Sequence, residues 1–278
     1  MGQGIGLWGI IMLRLGVLSG ERVAFHGLGR GRGPLATTAV AYGGAAILLW
    51  VAALWTGQAR WIGEAFWPGA VYAASFGLYT ASLAQGPVSV VSGFANATVP
   101  MLFFVDPRWD TLSVFGMALF GAGAVLLLPR RQAFSPAVLW MLLSGAALAA
   151  GRLMDVTHQS LAPLPYAASL FTSVVLWMMV PVTAYGQWPE VASIVRQRTA
   201  WVLLACATNA VSYLTVLALL RRITPTMVEA VSAWAGVLAT VAGVVIFREG
   251  GGRKKVIAAM LLTVGCVILL FSQPGRMG

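Results

Sequence analysis

Two charged residues stand inside long apolar runs, and both are of types that do chemistry. Arg14 lies in the middle of the run 5–20, and Glu229 lies about a turn and a half into the run 225–247. An ionisable group in hydrocarbon is costly and marks a substrate or ion pathway by default. Arg14 could hold a carboxylate or phosphate bidentately; it could also form a structural pair or snorkel outward. Glu229 could pair with a cationic substrate or carry a proton; the alternative is a headgroup-level carboxylate paired with Arg221 or Arg222. Polar and small side chains recur nearby at helical spacing. Tyr72, Ser75, Tyr79 and Ser82 share one face, as do Asn209, Ser212 and Tyr213. Ser89, Ser92, Gly93, Asn96 and Pro100 form a third stripe, and Thr226, Glu229, Ser232, Ala233, Gly236, Thr240 and Gly243 a fourth.

Polar stripes in lipid should face one another or water, which implies a central cavity. The competing reading is tight helix packing through small residues, with serine hydroxyls bonded to their own backbone. The cavity reading makes Arg14, Tyr72, Ser75, Tyr79, Ser92, Asn96, Asn209, Ser212, Tyr213, Glu229 and Ser232 the candidate substrate contacts. Hydroxyls, amides and tyrosine rings suit a small zwitterion or organic cation better than a polyphosphate. Tyr79 and Tyr213 could meet a cation through their ring faces.

Other chemistry finds little support. Arg152, Asp155 and His158 read as an interfacial cluster at the end of a run. His26 and His158 are weak candidates for an intramembrane enzyme, which would need a catalytic pair at matched depth. The glycine-rich stretch 27–33 follows no strand and leads to no Gly-Lys-Ser/Thr, so it reads as a basic loop. No Walker A motif, zinc signature or GxSxG is present, and neither a cofactor nor a metal is expected. Cys206 and Cys266 form no CxxC pair and read as small core residues.

The elements that must position these residues are helices. The chain is 59% hydrophobic and only 9% charged over 278 residues, against about 25% charged in soluble domains. Spanning segments must be helices or a closed barrel, and the long, non-alternating apolar runs favour helices. Cutting at charges and Pro/Gly clusters predicts about ten transmembrane helices: 5–20, 35–55, 66–83, 88–105, 112–128, 137–153, 166–185, 199–220, 225–247 and 256–271. The 11 tryptophans suit the membrane interfaces and the 32 glycines suit close helix packing. A net charge of +10 carried in short loops points to topology and headgroups, not nucleic acid.

An internal repeat predicts two inverted five-helix halves, 1–131 and 132–278, within one membrane domain. Leu7-Trp8 matches Leu139-Trp140, and the next histidines, His26 and His158, follow at equal distance. Ser75 matches Ser212, Val91 matches Val228, and Gly123-Ala124-Val125 matches Gly265-Cys266-Val267. An odd number of spans per copy inverts the second copy, as in many secondary transporters.

The chain resembles the drug/metabolite transporter superfamily in its ten-span EamA-like form. The resemblance covers essentially the whole chain. It rests on 84–89 (Ala-Gln-Gly-Pro-Val-Ser) entering the fourth span, on Asn96 through Pro100, and on Ile246-Phe247-Arg248-Glu249 followed by 262–270. It implies two inverted repeats, a cavity lined mainly by spans 1, 3, 4, 6, 8 and 9, and carriage of metabolites such as amino acids or amines, often outward.

The expectation is therefore a secondary transporter moving a small polar metabolite by alternating access, with an amino acid or amine favoured and protons as a candidate coupling ion. The rival is a non-transporting membrane module, a sensor or an accessory subunit of a lipid-modifying complex. The expected setting is a bacterial inner (cytoplasmic) membrane, as a monomer or homodimer among membrane lipids. Of the 18 Lys and Arg residues, 11 fall in odd-numbered loops (Arg22, Arg30, Arg32, Arg130, Arg131, Arg196, Arg198, Arg248, Arg253, Lys254, Lys255) and five on the other side (Arg60, Arg108, Arg221, Arg222, Arg276). This bias places both termini outside, whereas the family usually keeps both in the cytoplasm.

Overall fold

The computed structural model describes residues 2–105, 110–128 and 135–271, with the side chains of 2–5 excepted. Arg108, Arg130, Arg131, Arg276 and the 131/132 division between halves lie outside the described residues. Every regular element among them is helical. The chain runs through α1 (Gly2–Gly29), α2 (Pro34–Trp55), α3 (Phe66–Gln85), α4 (Val88–Phe94), α5 (Thr98–Phe103), α6 (Thr111–Leu127) and α7 (Pro136–Thr157). It continues through α8 (Pro163–Ala184), α9 (Trp188–Gln197), α10 (Thr199–Leu220), α11 (Pro225–Ser232), α12 (Trp234–Ile246) and α13 (Gly252–Phe271).

Local chemistry fixes many of these starts. Pro34, Pro136, Pro163 and Pro225 occupy first helical positions, where no N–H is needed. Ser135 and Thr224 side chains accept from the amides of Val138 and Met227. Asp110 and Ser113 bond reciprocally as a capping box at α6. Glu249 does the same service from a distance: its carboxylate accepts from the Val88 amide at 2.8 Å and the Ser89 amide at 3.1 Å, and from the Ser89 hydroxyl. Lys255 lies 3.4 Å from the same carboxylate. A carboxylate is favoured where a helix presents unpaired amides.

Among the described residues six helices are long and apolar enough to cross a membrane, and Val88–Phe103 and Thr111–Leu127 are apolar but shorter. Large apolar side chains including Trp55, Leu54, Val125 and Val245 are exposed, as lipid-facing surfaces require. The difference from about ten spans has a physical source. α1 carries Arg14, Glu21 and Arg22, and α3 carries a polar face, so neither is uniformly apolar.

Three expectations need correction. α1 does not end at Gly20 but continues to Gly29, so Glu21, Arg22 and His26 are helical and buried. Arg22 is therefore not a loop charge, and the glycine-rich stretch begins inside a helix. The fourth and ninth runs are each interrupted, by a three-residue 3-10 turn at Ala95–Ala97 and by a break at Ala233. The segment before α10, expected as a loop, contains α9, an amphipathic helix that packs on α2 and α10.

The packing pairs are α1 with α10, α3 with α7, α2 with α8, and α6 with α13; α3 also packs on α8 and α10 on α2. The two breaks meet: Asn96 Nδ2 donates to Ala233 O at 3.2 Å, and Thr263 Oγ1 donates to the same carbonyl at 3.1 Å. α6 and α13 approach through bare backbone. A Cβ on Gly265 would sit 2.7 Å from Gly116 O and 2.7 Å from Phe120 N, and one on Gly123 would sit 2.7 Å from Leu262 N and 2.8 Å from Ala258 O. The later residue of one helix meets the earlier residue of the other, so this pair runs antiparallel.

Candidate functional site

α1 carries Arg14, Leu18, Glu21 and Arg22 at steps of four, three and one, a single helical face. That face meets Ser75, Phe76 and Tyr79 of α3, Asn209, Ser212 and Tyr213 of α10, and Arg152 of α7. Together with Tyr42, Glu229 and small residues of α7 they line a cavity of about 620 Å³, its opening included.

Arg14 is anchored by donation from Nε to Ser232 Oγ at 3.1 Å and from Nη1 to Ser212 O at 3.0 Å, with a further bond to Ser212 Oγ. Arg22 Nη1 donates to Ser92 O at 2.9 Å. Gly236 makes room for it, because a Cβ there would lie 2.9 Å from Arg22 Nη1 and 3.0 Å from the Asn96 amide.

A dense ionic cluster closes one side of the cavity. Arg152 Nε donates to Glu229 Oε1 at 2.6 Å, and Arg152 Nη1 lies 3.4 Å from Asp155 Oδ2. Asp155 accepts from Tyr72 at 2.5 Å, Tyr213 at 2.8 Å and Tyr166 at 3.1 Å. Tyr72 in turn accepts from Arg152 Nη1 at 2.9 Å. The Arg152 guanidinium carbon also lies 5.7 Å from the ring centres of both Tyr72 and Tyr213. Beyond Asp155 a smaller pocket, lined by His158, Gln159, Tyr166 and Arg221, continues away from the cavity.

Of the eleven candidate contacts, Arg14, Ser75, Tyr79, Asn209, Ser212, Tyr213 and Glu229 line the cavity. Tyr72, Ser92, Asn96 and Ser232 do not. Tyr72 and Ser232 bond to Arg152 and Arg14 from behind, the Ser92 carbonyl holds Arg22, and Asn96 bridges the helix breaks. Glu229 pairs with Arg152 rather than with Arg221 or Arg222. Arg152 and Asp155 are buried inside the bundle, at 4% and 1% exposed. Sequence reasoning missed Glu21 because the first span was ended at Gly20, immediately before it, whereas the helix continues to Gly29. The signal was present in the Arg14–Leu18–Glu21–Arg22 spacing. Nothing local distinguishes Arg152 and Asp155 from a headgroup pair, since their partners come from α3, α8, α10 and α11. His26 Nδ1 donates to Leu83 O at 2.7 Å, a bond between helices. His158 is engaged locally with Met154 O. Among the described residues no three His, Cys, Asp or Glu side chains converge as a metal site.

The fold and its lipid-facing surface define an all-α membrane protein. No family model matches the chain, and no curated protein matches it. Among solved structures, a chain described only as "Crystal structure of protein" shares the fold, with a TM-score of 0.64 over 95% of this chain and 96% of that one, at 16% identity. Such an identity speaks to the fold alone.

Proposed function

We propose that the protein is a secondary transporter that moves a small polar metabolite across a membrane by alternating access. The observation that carries the proposal is the central cavity, whose lining holds Arg14, Arg22, Arg152, Glu21 and Glu229 inside an otherwise apolar bundle. Buried charges of both signs, with tyrosines and an asparagine, suit an amino acid or amine.

Ten spans in two inverted halves, as in EamA-like transporters, fit the same observations. With α4–α5 and α11–α12 each taken as one interrupted span and α9 as an interfacial helix, the remaining helices complete ten. The packing pairs support two-fold pseudosymmetry. α1 on α10 mirrors α7 on α3, and α3 on α8 mirrors α10 on α2. The breaks at Asn96 and Ala233 share the spacing that relates Val91 to Val228. In α6 and α13, Gly265 against Phe120 mirrors Gly123 against Leu262, an isologous contact between antiparallel partners. Discontinuous helices meeting at the repeat interface are a recurrent transporter device. The Arg152–Asp155–Glu229 cluster then forms the closed gate on one side.

The test is a thermal-stability screen of the detergent-purified chain against amino acids, amines, nucleosides and vitamins, followed by flux of the stabilising compound into proteoliposomes. Saturable flux that empty liposomes lack is the expected result. Binding without flux would favour a sensor.

A further inference from the structure

Three carboxylates are buried around the cavity, and they are not equivalent. Glu229 is ion-paired with Arg152 at 2.6 Å. Asp155 accepts from three tyrosines and lies against the same arginine. Glu21 is 7% exposed, lines the cavity and makes no ion pair among the described residues. Arg14 donates to Ser232 and Ser212, and Arg22 donates from Nη1 to the Ser92 carbonyl. Tyr42 of α2, Tyr79 of α3 and Ser212 of α10 face it from the neighbouring helices, with Arg152 of α7 farther off.

A carboxylate with a serine hydroxyl beside it but no ion-pair partner is costly in a desolvated site, and the group that relieves it is a cation delivered through the cavity. The same lining holds donors without acceptors: Arg22 Nε and Asn209 Nδ2 have no hydrogen-bond partner. The site lacks a positive charge at one point and an acceptor at another.

We infer that Glu21 is the cation-accepting group of the cavity, taking the ammonium of an amine-bearing solute whose own acceptor group faces Arg22 and Asn209. This rests on the solute-transport reading above. Tyr42 and Tyr79 line the same cavity, and Leu18, Phe76, Met141 and Leu148 supply apolar wall for the body of such a solute.

The experiment compares compounds that share a side chain and differ in which charged groups they carry: leucine, isopentylamine and 4-methylpentanoate, and phenylalanine, phenethylamine and 3-phenylpropanoate. Melting-temperature shifts of the purified chain are read for wild type and Glu21→Gln. The amine-bearing members should stabilise wild type, the acids should not, and Glu21→Gln should weaken the amines at least about tenfold, roughly one lost charge-assisted bond. Acids that stabilise as well as the amines, or amines bound equally by Glu21→Gln, overturn the assignment while leaving a solute site in place. No shift of wild type by any compound overturns the solute-binding reading and this inference with it. A measurement that needs no variant uses dicyclohexylcarbodiimide, whose carbon bonds to a carboxyl oxygen as the carboxyl proton passes to its nitrogen. Mass spectrometry should find the adduct on Glu21, formed more slowly with the stabilising amine present. An adduct on Glu229 or Asp155 in place of Glu21, or one formed at the same rate with the amine, overturns the inference.

Discussion

Arg152 touches two carboxylates and a phenol from three helices, and its removal would strand Glu229 and Asp155 in a low-dielectric interior. Breaking one member of a buried pair costs about 3–5 kcal/mol, because the partner charge is left uncompensated. Arg152→Ala should therefore lower stability strongly, measured as the midpoint of denaturation by mixed detergent. Arg152→Met with Glu229→Leu should recover part of the loss, since the Glu229 charge leaves with its partner while Asp155 keeps only its three tyrosines. If the double variant is no more stable than the single one, the pair is not the source of the loss. The same residues show the limits of sequence reading. Ser75, Tyr79, Ser212 and Tyr213 were legible because their periodicity is local to one helix. Asp155 was not, because what makes it a buried acceptor is three tyrosines on three other helices.

Among the elements, helix ends held by distant side chains tie together segments far apart in the chain. Glu249 anchors the start of α4 from the turn before α13, and bonds to a charged acceptor contribute about 1.5–3 kcal/mol each. Glu249→Gln should lower stability by a few kcal/mol and raise hydrogen exchange at Val88 and Ser89, with the amides of α10 unaffected. Arg198 plays the matching part at the end of α1, donating to the carbonyls of Gly27, Leu28 and Arg30 at 2.7, 2.9 and 2.8 Å. Partial burial, and then the charges of Arg32 and Arg30, lower its pKa from the ordinary arginine value. Most helices were legible from their apolar runs. The breaks at Ala95–Ala97 and Ala233 were not, because each is stabilised by the other through Asn96, and neither carries a strong local signal.

At the level of the whole molecule, the basic loops gather on one side. Arg30, Arg32, Arg196, Arg198, Arg253, Lys254 and Lys255 sit at the end of α1, the end of α9 and the starts of α10 and α13. These ends are brought together by Arg198 on the last turn of α1, Arg32 on Ser193 of α9, and Glu249 joining the start of α4 to Lys255. Positive charge is generally biased toward the cytoplasm, so the expected outcome is that this face lies inside. A cysteine at Arg32 should react with a membrane-impermeant maleimide in inside-out vesicles and not in intact cells; the opposite pattern would put both termini inside.

The glycine contact between α6 and α13 has a separate implication. Neither helix lines the cavity, and a side chain at Gly265 has no room to exist without moving backbone. Gly265→Leu should lower stability by several kcal/mol, beyond the roughly 1–3 of ordinary overpacking, with the matched replacement Gly123→Leu similar in size. Two surfaces that match their own copy in this way need no second sequence to evolve. On the inverted-repeat reading, the seam is what two identical five-helix chains, inserted in opposite senses, would have shared before their genes were joined. On the same reading the charges of the cavity are not copies of one another: Glu21 and Arg22 stand on one side, Arg152 and Asp155 on the other.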